Sequence, residues 1–563
     1  MSTVVNGADV TKADELDTLA DKTAIELGDL IRTRKISPVD LVRDLLTRID
    51  DHNSRLVAYI TVDAKGALDA ARAAEIEIQG GGYRGRLHGI PVAYKDIIDV
   101  QGLPTTANSR VMSGHIASRD STVAHKLRRA GAICLGKHNT NEFASGSHEV
   151  SGDPRNPWNT DMSPGGSSSG SAVATAARLV TVSVGQDTGG SIRVPSAFNG
   201  VVGLKPSFGR VSRAGMIPLS WSLDHAGPIT RTVSDSAALL QEISGWDGRD
   251  LSTSTVPVPD YVAALVGDIR GVRIGVPRTF FLESIGAEVL AAVRAAIEVL
   301  KGLGANIYEV DMLHARFGPV ASWTIAYTEA FAFHRGNFFA RPRDYTPAFL
   351  HKIASAACLT AEERITADRI RQIVSYQFLT ALAKVDVVLT PTMSHPAFRI
   401  GGAYPEGDLG RLTRPVSLAG LPAMAVPCGF TKGGLPVSMQ LVGRAWDEPT
   451  ILRVGDAYQR ATDWHRRRAP LTAGAPDTGA KLAHQEQNIV VTDGVDDLGE
   501  KVDAAWVSRW ASMAGLSFIG QADAGPIAAA AAPVKALLAA ARKEVEAGLE
   551  PAVRPVAQEI PWP

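Results

Sequence analysis

Two loops made almost wholly of glycine and serine hold the side chains best suited to chemistry. The first is Ser163-Pro164-Gly165-Gly166-Ser167-Ser168-Ser169-Gly170-Ser171, and the second is Gly185-Gln186-Asp187-Thr188-Gly189-Gly190-Ser191-Ile192-Arg193-Val194-Pro195. A serine hydroxyl attacks a carbonyl only when a base removes its proton and donors receive the oxyanion. Three readings are open for these loops. A Gly-rich loop ahead of a helix can cradle a phosphate, but neither GxxxxGK[ST] nor GxGxxG occurs. Gly166-Ser167-Ser168-Ser169-Gly170 formally fits the G-x-S-x-G nucleophile elbow, but that motif follows a strand, and Asn159 to Pro164 reads as a turn. A flexible linker fits poorly with a packed helix and strand lying between the loops. No His-Glu-x-x-His and no Cys/His cluster is present, so neither a metal nor a cofactor is expected.

The elements between the loops must bring them together. An Ala-rich helix runs to about Arg178 and a strand from Leu179 to Val184. A ten-residue helix advances about 15 Å, and a six-residue strand running back covers about 20 Å. Ser167 and Ser191 therefore end on the same side of a sheet. A third group, Lys95, closes the apolar strand His88 to Tyr94. Alone it reads as a solvated surface lysine.

Further strands read at Ala132–Leu135, Val272–Val276, Ile307–Val310 and Val385–Leu389. They alternate with helices at Thr122–Arg129 and Ala287–Leu303, a pattern that predicts an α/β sheet covered by helices. Amphipathic helices occupy about 14–53, with Ser37-Pro38 as a start signal. Another runs from Ala64 to Gln79 and stops at Gly80-Gly81-Gly82. A helical, aromatic-rich insertion spans about 323–384. After Leu471 the composition shifts, and 472–479 reads as a linker to an Ala-rich extension ending at Pro563.

With 58 Lys plus Arg against 59 Asp plus Glu, the net charge of −1 gives no bulk field for nucleic acid or an anionic membrane. Cys134, Cys358 and Cys428 are too scattered for a disulfide framework, which fits a reducing cytoplasm. The polar, acidic start lacks a signal-peptide pattern. No membrane span is expected, since Pro533 and Lys535 interrupt the apolar stretch after Ile527.

The two loops, with Gly89-Ile90-Pro91-Val92-Ala93-Tyr94-Lys95-Asp96, Gly200 to Pro206, Gly420 to Pro427 and Pro436 to Gly443, resemble the amidase signature family over about residues 15–471. The resemblance implies that family's fold, a central twisted mixed β-sheet with helices on both faces, here carrying a C-terminal helical extension. Residues 1–471 would form that domain, and 472–563 the linker and extension. It further implies Ser191 as nucleophile, Ser167 as bridging serine after a cis Gly166–Ser167 peptide, and Lys95 as base. The backbone N–H groups of Thr188, Gly189, Gly190 and Ser191 would form the oxyanion hole. Ser168, Asp187 and Arg193 would support it. Ser169, Ser196 and Ser417 depart from the commoner Gly, Ala and Asn without removing a catalytic atom.

The resulting expectation is hydrolysis of a small carboxamide to an acid plus ammonia or amine. The pocket would be lined by Trp323, Tyr327 and Phe331. The rival with the same catalytic group is a glutaminase component of a glutamyl-tRNA amidotransferase, which needs a partner protein; a silent binding protein fits less well, because all three catalytic residues are kept. The expected ligand is a small-molecule amide, with no nucleic acid and no membrane, and a homodimer is the protein partner the reading allows. His88, His125 and His148 are expected to be polar surface or supporting groups, and the extension to carry no catalytic residue.

Overall fold

The computed structural model describes residues 19–405, 408–471, 501–513, 516 and 518–544. The expected linker at 472–479, the first residues of the N-terminal helical segment and the final Ile560-Pro561-Trp562-Pro563 lie outside the described residues.

Eleven strands form one sheet: β1 (Tyr59–Val62), β2 (Pro91–Lys95), β3 (Ile133–His138), β4 (Val182–Asp187), β5 (Val202–Lys205), β6 (His225–Thr230), β7 (Arg273–Pro277), β8 (Asn306–Val310), β9 (Val387–Pro391), β10 (Ala423–Phe430) and β11 (Pro436–Gly443). Their order is β1-β3-β2-β4-β6-β5-β10-β11-β9-β7-β8. The sheet is mixed: β2 runs parallel to β3 and β4, whereas β4–β6 and β10–β11 are antiparallel. In β2, β4, β5, β6, β9 and β11 every residue is buried. Successive side chains point to opposite faces, so both faces of the sheet must be covered.

The helices that cover it are α1 (Ala24–Arg32), α2 (Pro38–Leu56), α3 (Ala64–Gln79), α4 (Thr122–Arg129), α5 (Ser169–Ala176), α6 (Arg193–Asn199), α7 (Val233–Ile243) and α8 (Ala287–Gly302). The insertion follows as α9 (Gly318–Ala340), α10 (Pro347–Ala357) and α11 (Ala361–Lys384), and after it come α12 (Arg414–Leu418) and α13 (Glu448–Ala461). The extension contributes α14 (Ala504–Met513) and α15 (Gln521–Glu544). Ser37 caps α2 by accepting from Val39 N, with Pro38 in the first turn, as its sequence signal requires.

Several features differ from the sequence expectation. The strand expected at Leu179–Val184 begins at Val182 and runs to Asp187. Arg178 takes a left-handed conformation and Leu179 N donates back to Ala174 O, so residues 179–181 unwind the helix rather than start the strand. The strand entering Lys95 begins at Pro91, because Gly89 has φ +82° and turns the chain. The apolar stretch of the extension is not broken at Pro533: α15 is continuous through Pro526 and Pro533. Each proline removes one helix hydrogen bond, and the side of α15 bearing Ile527, Val534 and Leu538 is held in the same apolar core as the sheet. By length and composition this helix could cross a membrane, and about half of its most apolar window is buried against the rest of the chain.

Candidate active site

The register Val92↔Val182, Ala93↔Ser183, Tyr94↔Val184 makes β2 and β4 parallel neighbours. Their C-terminal ends therefore meet at one edge of the sheet, with Lys95 on β2 beside Gln186 and Asp187 on β4. Lys95 is fully buried. Its Nζ donates to Ser167 Oγ at 2.6 Å and to Gln186 Oε1 at 2.8 Å, with Gln186 O at 3.4 Å. Burial pushes the Lys95 ammonium down to about 7, against the opposing pull of the Asp224 and Asp187 carboxylates. A neutral amine is thus accessible near pH 7, at the oxygen it would deprotonate. Asp96 points the other way, as alternation along the chain requires, and pairs with buried Lys137 at 3.0 Å.

The Gly166–Ser167 peptide is cis. Ser168 ties the two loops together. Its N–H donates to Ser191 O at 3.1 Å, and its hydroxyl donates to Gln186 O at 3.0 Å while accepting from Gln186 N. The Ser191 loop is braced from behind by Asp187. Its carboxylate accepts from Gly190 N at 2.7 Å and Ile192 N at 3.1 Å, and it forms a fully buried ion pair with Arg193 at 2.9 Å. Burial alone would raise the Asp187 carboxyl; the Arg193 charge and hydrogen bonds override it and hold the group well below the usual carboxylate range. Arg193 also donates to Thr413 O, Gln440 Oε1 and Ser417 Oγ. Ser417, one of the departures from the commoner residue, therefore completes this bracing network.

Of the four backbone donors expected for the oxyanion, the Gly190 N–H donates to Asp187 Oδ1 at 2.7 Å, and Gly190 has a φ of +138°. Thr188, Gly189 and Ser191 remain as the backbone donors the loop could offer.

Sequence reasoning missed Gln186 and Asp224. Gln186 accepts from Lys95 through Oε1 while Nε2 donates to Asp224 Oδ1 at 2.8 Å and to the Thr188 hydroxyl. Thr188 Oγ1 also donates to Asp224. Burial pushes the Asp224 carboxyl up to about 6, against hydrogen bonds from Thr188 and from Ser220 N. Gln186 stands inside the second loop, but only the register shows its amide reaching Lys95. Asp224 lies on the turn before β6, with no local signal.

The aromatic side chains expected at the pocket all stand on α9. Trp323 and Tyr327 are buried on α9 with ring centroids 4.6 Å apart. The Tyr327 hydroxyl shares a hydrogen bond with Ser145 Oγ, and Lys352 of α10 donates to Ser145 O at 2.8 Å. That loop abuts the first serine loop: Gly170 N donates to Asn139 O, and a Cβ on Gly166 would lie 2.3 Å from Asn141 Oδ1. Tyr327 is thus linked through Ser145 to the segment that lies against Gly166, next to Ser167. Phe331 lines a cavity of about 310 Å³ with Trp221, Glu329 and Arg364.

His88 is a buried residue rather than a surface one; its Nδ1 accepts from Arg84 N at 3.1 Å. His125 is exposed, and His148 supports α5 through Ser169 Oγ at 3.1 Å. Among the described residues no group of three or more His, Cys, Asp or Glu is arranged to hold a metal ion.

The family profile described as Amidase matches residues 40–452 and stops ahead of α14. A glutamyl-tRNA(Gln) amidotransferase subunit from Roseiflexus castenholzii is 41% identical over 477 residues, covering 79% of this chain and 96% of the relative. Among solved structures, the native peptide amidase from Stenotrophomonas maltophilia is similar at TM-score 0.72 and 33% identity, covering 80% of this chain and 99% of its own. The corresponding glutamyl-tRNA(Gln) amidotransferase subunit from Thermotoga maritima is similar at TM-score 0.67 and 32% identity, covering 78% of this chain and 95% of its own.

Proposed function

The chain belongs to the amidase signature family of C–N bond hydrolases, and from that premise we propose that it cleaves a carboxamide through an acyl-enzyme on Ser191. The observation that carries this reading is the 2.6 Å contact between buried Lys95 and Ser167. Ser191 Oγ attacks the carbonyl carbon; its proton passes to Ser167, and the Ser167 proton to neutral Lys95. Backbone N–H groups of Thr188, Gly189 and Ser191 receive the oxyanion. As the C–N bond breaks, Lys95 returns the proton through Ser167 to the departing nitrogen, and ammonia or an amine leaves. Water then attacks the ester by the same relay and releases the acid.

Two finer readings share this chemistry. One is a free-standing hydrolase of a small amide, with Trp323 and Tyr327 on the acyl side. The other is a glutaminase that passes ammonia to a partner protein. The 41% identity to a glutamyl-tRNA(Gln) amidotransferase subunit favours the second, and a tRNA-linked process fits the cytoplasmic setting expected above. Ammonia release by the isolated chain from glutamine, asparagine and a panel of primary and secondary amides separates them. Turnover of small amides with no partner present supports the free-standing enzyme. Glutamine turnover that rises only when a co-purifying protein is added supports the partner-dependent glutaminase. No turnover and no Ser191 labelling by a fluorophosphonate would exclude both.

A further inference from the structure

Helices α14 and α15 form a hairpin beyond the family match, and α15 is seated on all three helices of the insertion. Lys535 Nζ lies 2.8 Å from Glu363 Oε1 of α11, with the two side chains only 4% and 5% exposed. Lys535 also stands 5.7 Å from the Trp506 ring of α14. Asp523 pairs with His351 of α10 at 3.2 Å, and the Ser355 hydroxyl of α10 donates to Ile527 O at 3.1 Å. Phe518, in the turn between α14 and α15, packs edge-on against Phe338 of α9 at 5.1 Å. A lysine in the middle of an apolar helix is costly to bury in lipid or in protein unless a carboxylate meets it. Here the insertion supplies that carboxylate, so the apolar composition of α15 is explained by this docking and not by a membrane.

Helix α10 has two working sides. His351 and Ser355 hold α15. Lys352, between them in sequence, holds Ser145, which also bonds Tyr327. The Ser145 loop in turn lies against Gly166 through Asn141. A continuous set of contacts therefore runs from α15 through α10 to the segment beside Ser167.

We propose that the 504–544 hairpin is a built-in clamp that positions this segment for substrate binding and takes no part in bond breaking. The proposal rests on the reading of Lys95, Ser167 and Ser191 as the catalytic group. Lys535 and Asp523 are positioning residues, acting through α10 and α11.

The test uses the full chain with a protease site inserted between Gly479 and Ala480, cleaved after folding. Substrate kinetics use the amide with the highest turnover in the panel above, and Ser191 is titrated with a fluorophosphonate. The cleaved parent should keep its two pieces together through gel filtration, with unchanged kinetics. Lys535→Glu opposes a second carboxylate to Glu363. It should release the cleaved hairpin and raise KM about tenfold or more, with kcat within about threefold and Ser191 still fully titrated. Asp523→Asn, a milder change that keeps shape, should raise KM in the same direction while the melting curve stays cooperative. Separation of the pieces in the parent, or release of the hairpin with KM unchanged, would overturn the proposal. So would a fall in kcat at constant KM. Failure of Ser191 to titrate in the uncleaved parent would instead remove the underlying catalytic reading, while gel filtration still reports whether the hairpin docks.

Discussion

Ser168 N–H donates to Ser191 O at 3.1 Å, so the residue after Ser167 is hydrogen-bonded to the residue that would carry the acyl group. One backbone bond thereby fixes the two serine loops against each other, and the proposed relay depends on their staying in register.

Ser191→Ala removes the attacking oxygen. It should abolish acyl-enzyme formation while leaving the fold intact, since the loop is braced by Asp187 and not by the Ser191 side chain. Peptide mass spectrometry after fluorophosphonate treatment should find the adduct on Ser191 in the parent and none in the variant. An adduct on Ser168 would favour the nucleophile-elbow reading instead.

Lys95→Ala should lower amide turnover by about 10² to 10⁴ and shift the amide-to-ester ratio towards ester. An amide nitrogen must be protonated as it leaves, whereas an alkoxide needs less help. Matched amide and ester substrates measure this, and equal losses on both would confine Lys95 to the attack step.

The pH profile follows from the same burial. The Lys95 ammonium is pushed down to about 7, and the neutral amine is the base, so kcat/KM should rise with pH through an apparent value near 7 and level above it. Gln186 Oε1 accepts from the charged form. Gln186→Glu should stabilise that form further and move the rise upward by about 1 to 3 pH units. Gln186→Met should move it down. A profile insensitive to both variants would detach Lys95 from the titration.

Arg193→Met should destabilise the fold by about 3 to 5 kcal/mol, because Asp187 is left buried and unpaired. The sign of the pH effect is also fixed. In the native chain Asp187 has a depressed folded pKa, so the unfolded state binds the proton more readily as acid is added. Its contribution is present above the unfolded carboxylate value of about 3.9 and is lost as pH falls below it. Urea denaturation at pH 7 and pH 3 should show the gap between the parent and Arg193→Met narrowing at the lower pH.

Much of the site was legible in the sequence because it is local. Ser167 and Ser191 lie in loops whose glycines announce unusual backbone, and Lys95 closes a strand that the apolar run Ile90 to Tyr94 already marks. The same holds for helices with clear caps and periodicity, such as Pro38–Leu56. The mixed sheet followed from the family resemblance carried by those motifs. What the chain alone could not decide involves partners distant in sequence. The Gln186 amide and the Asp224 carboxylate reach their partners through strand register and the turn before β6, which no local propensity encodes. The extension gives the clearest contrast. Its composition alone reads as an apolar stretch broken by Pro533 and Lys535. Only the tertiary structure puts Glu363 opposite Lys535, and that pairing of two buried charges turns an interrupted apolar run into a docked helix.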